Sequence, residues 1–169
     1  RLVGSEMCIR DSYTSASLLP GVKKLLAKTG WLDTKVLMFA FDGDPSNEHL
    51  PHNYPGSHTV VYAGTHDNDT IMQWYGNMSA AARRKIRRML KKAGASQGSV
   101  KDRFLQYTMQ NQAEYAIIPL ADILGLGKEG HINTPGTIGS PNWEWHLPDF
   151  IQAKKELQKF GRLIVDTKR

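Results

Sequence analysis

Apolar positions along the chain fall into three short continuous runs and several longer stripes of helical period. Val36 to Phe41 is unbroken by any polar residue. Such a run suits a strand buried on both faces of a parallel sheet, so a strand is expected over 35–41. Thr59 to Ala63 and Tyr115 to Ile118 read as two further strands. Between and after them the period changes. Pro20 to Thr29 reads as a short helix, with Pro20 in its first turn and Gly30 at its stop. Ile71, Met72, Trp74, Tyr75 and Met78 give 69–78 a broad apolar face. Ala82, Ile86, Met89, Leu90 and Ala93 recur at three- and four-residue steps through 80–94, after a capping Ser79. Gly98-Ser99 opens a helix to about 110. Residues 120–126 form a short helix, and 149–165 form the last, with Phe150, Ala153, Leu157, Phe160 and Ile164 on one stripe. Residues 42–57 and 125–148, rich in Gly, Pro and Asn, read as long loops. Strands alternating with helices predict an α/β fold with parallel strands. There is no internal repeat and no low-complexity tract.

Charge adds one competing picture. The chain carries 22 Lys and Arg against 16 Asp and Glu, a formal +6. Much of the excess lies in 83–92, RRKIRRMLKK. One reading is a phosphate-binding stripe of a basic nucleic-acid-binding domain. The other is the solvated face of an amphipathic helix, favoured because no aromatic interleaves to stack on a base. No nucleic-acid partner is therefore expected. The single cysteine, Cys8, excludes an internal disulfide. No apolar run is long enough for a membrane span. The histidines at 49, 52, 58 and 66 invite a metal, but they form no H-E-x-x-H pattern and have no cysteine pair beside them. The glycines fail the dinucleotide fingerprint. Neither metal nor cofactor is expected.

The densest polar chemistry follows the second strand, in Gly64-Thr65-His66-Asp67-Asn68-Asp69-Thr70. Asp67, Asn68 and Asp69 are all good residues for capping a helix N-terminus. The same place, the carboxyl end of a strand, is where α/β barrels keep their catalytic groups.

The longer context resembles a known family. Residues 35–70, KVLMFAFDGDPSNEHLPHNYPGSHTVVYAGTHDNDT, are similar to the C-terminal half of 4-α-glucanotransferases (amylomaltase or disproportionating enzyme, glycoside hydrolase family 77). The likeness continues in Ile118-Pro119-Leu120, in Asp122 to Gly127, in Asn133 to Thr137 and in Asn142-Trp143. It implies the C-terminal part of a (β/α)8 barrel over residues 19–169, about three parallel strands corresponding to the sixth, seventh and eighth. Residues 1–18, beginning RLVGSEMCIRDS, match nothing in the family and read as artefactual or disordered. A whole barrel needs about 200 residues or more, so the chain is read as a fragment.

The family transfers α-1,4-glucan segments between maltooligosaccharides with retention of configuration. Retention takes a carboxylate nucleophile and a carboxylic acid/base. In the family both lie upstream of the segment like Pro20–Lys28, so this fragment is expected to be inactive by itself. The resemblance makes Asp67 the third carboxylate, which holds sugar hydroxyls in the transition state, and His66 its neighbour on the same sugar. It makes Asp42 and Asn133 substrate-binding residues, and Trp143 the tryptophan best placed to reach ligand. A non-catalytic glucan-binding remnant using Asp42, Asp67 and Asn133 is the alternative within the same likeness. The family setting implies a cytoplasmic or plastid protein. Three departures stand out: Leu32-Asp33-Thr34 replaces Pro-Gly-Met, Ala121 replaces a common Gln, and His146 replaces a frequent Arg.

Overall fold

The computed structural model describes residues 20–168, so the expectation for residues 1–18 lies outside the described residues. Three short strands form one parallel sheet in the order β1 (Asp33–Val36), β2 (Thr59–Tyr62), β3 (Tyr115–Ile117). Asp33 pairs with Thr59, and Val60 with Tyr115, so all three strands end at the same edge of the sheet. Helix α1 (Pro20–Thr29) precedes the sheet. Between β2 and β3 run α2 (Ile71–Asn77), α3 (Ala80–Lys92) and α4 (Val100–Met109). After β3 come α5 (Leu120–Leu124) and, beyond a long loop, α6 (Phe150–Asp166).

The first strand differs from its expected span. It starts at Asp33 and ends at Val36, and Leu37–Phe41 coil into a 3-10 turn. The ladder makes one further contact, Met38 N–H to the Ala63 carbonyl at 3.3 Å. The reason for the turn is packing. Leu37, Met38 and Ala40 remain buried through the coil. Coiling also brings Phe41 to 5.5 Å, ring to ring, from both Trp74 and Phe104. Continuous apolarity marked the burial of Val36, Leu37, Met38 and Ala40, but neither the exposure of Phe39 nor the backbone that achieves the rest. At the strand's start Lys35 is buried and neutralised by Asp33 at 3.0 Å and Glu48 at 2.8 Å.

The core joins Val36, Leu37, Val61, Ala63 and Ile71 to Phe104 and Leu105 of α4. A smaller cluster, Ile86, Leu90 and Ala95, seats α3 against Phe41, Trp74 and Tyr107. The apolar stripe of α3 is thus its buried face, while Arg84, Lys85, Arg87, Arg88, Lys91 and Lys92 are exposed. Arg83 is occupied at the end of α2, donating to the carbonyls of Met78 at 2.9 Å and Gly76 at 2.7 Å. Helix α6 packs through Ala153, Glu156, Phe160, Leu163 and Thr167, a three-four repeat. That face is turned from the expected stripe, since Phe150 and Leu157 are exposed. The turn lets Glu156 meet the ammonium of the largely buried Lys101 on α4. Among the described residues no helix is long and apolar enough to cross a membrane.

Candidate functional site

The loop after β2 begins at a glycine for a steric reason: a Cβ on Gly64 would stand 2.9 Å from Met38 Sδ. It then closes on itself. Asn68 Oδ1 accepts from the Thr65 N–H at 2.8 Å and from the Thr65 hydroxyl at 2.9 Å. The helix cap is Thr70, whose hydroxyl accepts from the Gln73 N–H at 3.2 Å. Capping is therefore not the role of Asp67, Asn68 or Asp69, and α2 starts at Ile71, two residues later than expected.

Instead, this loop is fastened to the segment that follows β3. The first N–H of α2, on Ile71, donates to Asp122 Oδ1 at 2.7 Å. The Thr70 hydroxyl donates to the Gly127 carbonyl at 3.1 Å. Asp69 Oδ1 stands 3.7 Å from His131 Nδ1. The side-chain amide of Asn133 donates to Asp67 Oδ1, and its backbone N–H to the His66 carbonyl at 3.2 Å. A tight approach makes this possible: a Cβ on Gly130 would lie 2.9 Å from Ala121 Cβ and 3.2 Å from Thr70 Cγ2.

His66 Nε2 lies 3.4 Å from Asp67 Oδ1, and the imidazole sits 4.9 Å from the Trp143 ring. Trp143 is 60 % exposed and adopts φ +64°. Its N–H is anchored on the Ile132 carbonyl at 2.8 Å. Asn142 ties the same loop down, accepting from the Thr134 N–H at 2.8 Å and donating to the Thr137 hydroxyl at 2.8 Å. Of the residues expected from sequence, His66, Asp67 and Asn133 thus meet, with Trp143 beside them.

Asp42 stands apart in its bonding. Its carboxylate accepts from the Asp44 N–H at 2.9 Å and the Asn47 amide at 2.8 Å, within its own loop. These hydrogen bonds, the Asp44 one foremost, hold its carboxyl below the usual range. Asp42 still follows β1 at the same edge of the sheet as Asp67 follows β2. His49 is structural: its Nδ1 accepts the Val36 N–H at 3.1 Å, and burial pushes its pKa down. Among the described residues no three of His, Cys, Asp and Glu gather as metal ligands would. Asp122 was not singled out by sequence reading. It is buried, and that burial pushes its carboxyl up to about 6. His131 was also missed, although it stands only two residues before Asn133.

Residues 17–152 match the model of a single family, described as 4-alpha-glucanotransferase. The chain belongs to that family. It is 43 % identical over 139 residues to the chloroplastic/amyloplastic 4-alpha-glucanotransferase of Arabidopsis thaliana, covering 76 % of this chain and 23 % of the plant protein. It is 38 % identical over 134 residues to the Thermus thermophilus 4-alpha-glucanotransferase, covering 77 % and 27 %. Against the Synechocystis 4-alpha-glucanotransferase it is 38 % identical over 156 residues, covering 89 % and 30 %. The chain thus spans less than a third of the length of these glucanotransferases. Its fold follows that of the amylomaltase from Streptococcus agalactiae, determined in complex with acarbose. That likeness has a TM-score of 0.82 at 23 % identity and covers 92 % of this chain and 31 % of the amylomaltase.

Proposed function

We propose that this chain is the C-terminal segment of a retaining 4-α-glucanotransferase that moves α-1,4-glucan segments between maltooligosaccharides. Asp67 is its transition-state carboxylate. The observation that carries this reading is the convergence of Asp67, His66 and Asn133 at the carboxyl edge of the parallel sheet. Asn133 donates to Asp67 Oδ1, and His66 Nε2 lies 3.4 Å from the same oxygen. Among the described residues no group donates to Oδ2, which is left to accept from a sugar hydroxyl. As positive charge develops at C1 and the ring oxygen, that hydrogen bond strengthens. The exposed Trp143 ring beside His66 offers a sugar an apolar face. Asp42 holds the neighbouring sugar from the end of the 3-10 turn that follows β1.

The nucleophile and the acid/base belong to parts of the enzyme outside this chain, and the sheet is an incomplete barrel. Supporting that, β1 and β3 each pair on one side only among the described residues, and β3 exposes Tyr115 at 53 % and Ile117 at 45 % on one uncovered face. The test is disproportionation of maltotriose by the complete polypeptide and its Asp67→Asn variant. Loss of kcat on the order of 10²-fold or more is expected. Undiminished turnover by Asp67→Asn would refute the role, and transfer by the isolated 169-residue chain would refute the division of labour.

A further inference from the structure

Asp67 and Asp69 are two residues apart on one loop, and His131 and Asn133 are two apart on another. The pairs meet in opposite order: Asn133 on Asp67, His131 on Asp69. The His131 ring is hydrogen-bonded through one nitrogen and lies near a carboxylate with the other. Nε2 is bonded to the Asn133 carbonyl at 2.7 Å, and Nδ1 faces Asp69 Oδ1 at 3.7 Å. A carbonyl oxygen only accepts, so Nε2 carries a proton and donates it. Asp69 is itself anchored, its Oδ2 accepting from the Asn77 amide at 3.2 Å at the far end of α2.

The ring therefore holds the Asn133 carbonyl at 2.7 Å, and it does so beside the Asp67 loop, where Asp69 lies 3.7 Å away. The Asn133 N–H is tied to the His66 carbonyl at 3.2 Å. With both its backbone polar groups held, Asn133 extends its amide to Asp67 from a fixed backbone. We propose that His131 is a positioning residue of the transfer site, acting through Asn133 to aim the Asp67 carboxylate. This rests on the reading of Asp67 given above.

A mis-aimed Asp67 loses an interaction that strengthens in the transition state. The effect belongs in kcat more than in KM. The experiment is maltotriose disproportionation by the complete polypeptide as wild type, His131→Ala, His131→Gln and Asp67→Asn, with the melting temperature of each. Glutamine keeps an N–H donor for the Asn133 carbonyl, whereas alanine does not. His131→Ala is expected to lower kcat by about ten-fold or more, toward the order of 100-fold, with KM little changed. His131→Gln is expected to recover most of that loss. Wild-type kcat in His131→Ala, beside an inactive Asp67→Asn, would overturn this inference and leave the Asp67 reading standing. Equal losses of kcat and of melting temperature in both His131 variants would also overturn it, as a merely structural role. Full activity in Asp67→Asn would remove the Asp67 reading and this inference with it.

Discussion

Replacing Asp122 with Asn changes how the stability of the chain depends on pH, and the structure sets both sign and size. Asp122 is 2 % exposed on α5, and among the described residues its carboxyl accepts one hydrogen bond, from the Ile71 N–H at 2.7 Å. Burial penalises the ionised form more than that bond favours it, so the carboxyl rises from 3.8 to about 6. The native state then holds a proton that the unfolded chain has already released. Stability from this group is full below about pH 4 and is lost as pH climbs through about 6. At ~1.4 kcal/mol per pH unit, the rise corresponds to about 3 kcal/mol by neutral pH. Asparagine has the same shape, keeps an acceptor oxygen for Ile71 and cannot ionise. Urea unfolding followed by tryptophan fluorescence, from about pH 4 to pH 8, gives the difference between variant and wild type and cancels the other carboxylates. That difference is expected to be small near pH 4 and to grow to about 3 kcal/mol in favour of Asp122→Asn near pH 7. A difference independent of pH, or a variant less stable than wild type at neutral pH, would refute the reasoning.

Two further outcomes follow from the packing. Phe104 is fully buried against Phe41, Trp74 and the sheet, so Phe104→Ala should cost about 3–5 kcal/mol in urea unfolding; a loss under about 1 kcal/mol would mean the cluster is not the core. Ser99 caps α4 reciprocally with Asp102, which also receives Lys159 at 2.7 Å. Ser99→Ala should cost about 1 kcal/mol, read as a lower melting temperature, and an unchanged one would deny the cap a share in stability.

The elements that the sequence reveals are those whose burial is local. Ser79 before an amphipathic stripe and Gly98-Ser99 before another each mark a helix start, and α3 and α4 begin there. Strand β2 keeps its expected start because Thr59 and Val61 share one buried face. The end of β1 was hidden for the opposite reason. Phe41 is apolar for the sake of partners on α2 and α4, and reaching them favours a coil over a fifth rung. The face of α6 was hidden too, because a charged residue, Glu156, sits on its packed side opposite Lys101. Hydrophobic periodicity cannot report a contact that is made by an ion pair.

The site obeys the same distinction. Local pattern allowed three residues, Asp67, Asn68 and Asp69, to be caps, yet Thr70 and the distant Asp122 accept the N–H groups at this helix start. Asn68 is accounted for by the turn it closes on Thr65. Two carboxylates are then left over in a seven-residue loop, and each finds its partner more than sixty residues away, in Asn133 and His131. A polar cluster that exceeds what its own helix can use must be aimed at something outside it. Asp69 stands near a ring that holds the Asn133 carbonyl, whereas Asp67 receives the Asn133 amide on one oxygen. On the reading proposed above, that asymmetry separates a carboxylate that organises from one that acts. It is also why removing the charge of Asp67 should cost turnover, while loss of the His131 ring should cost the aim of that charge.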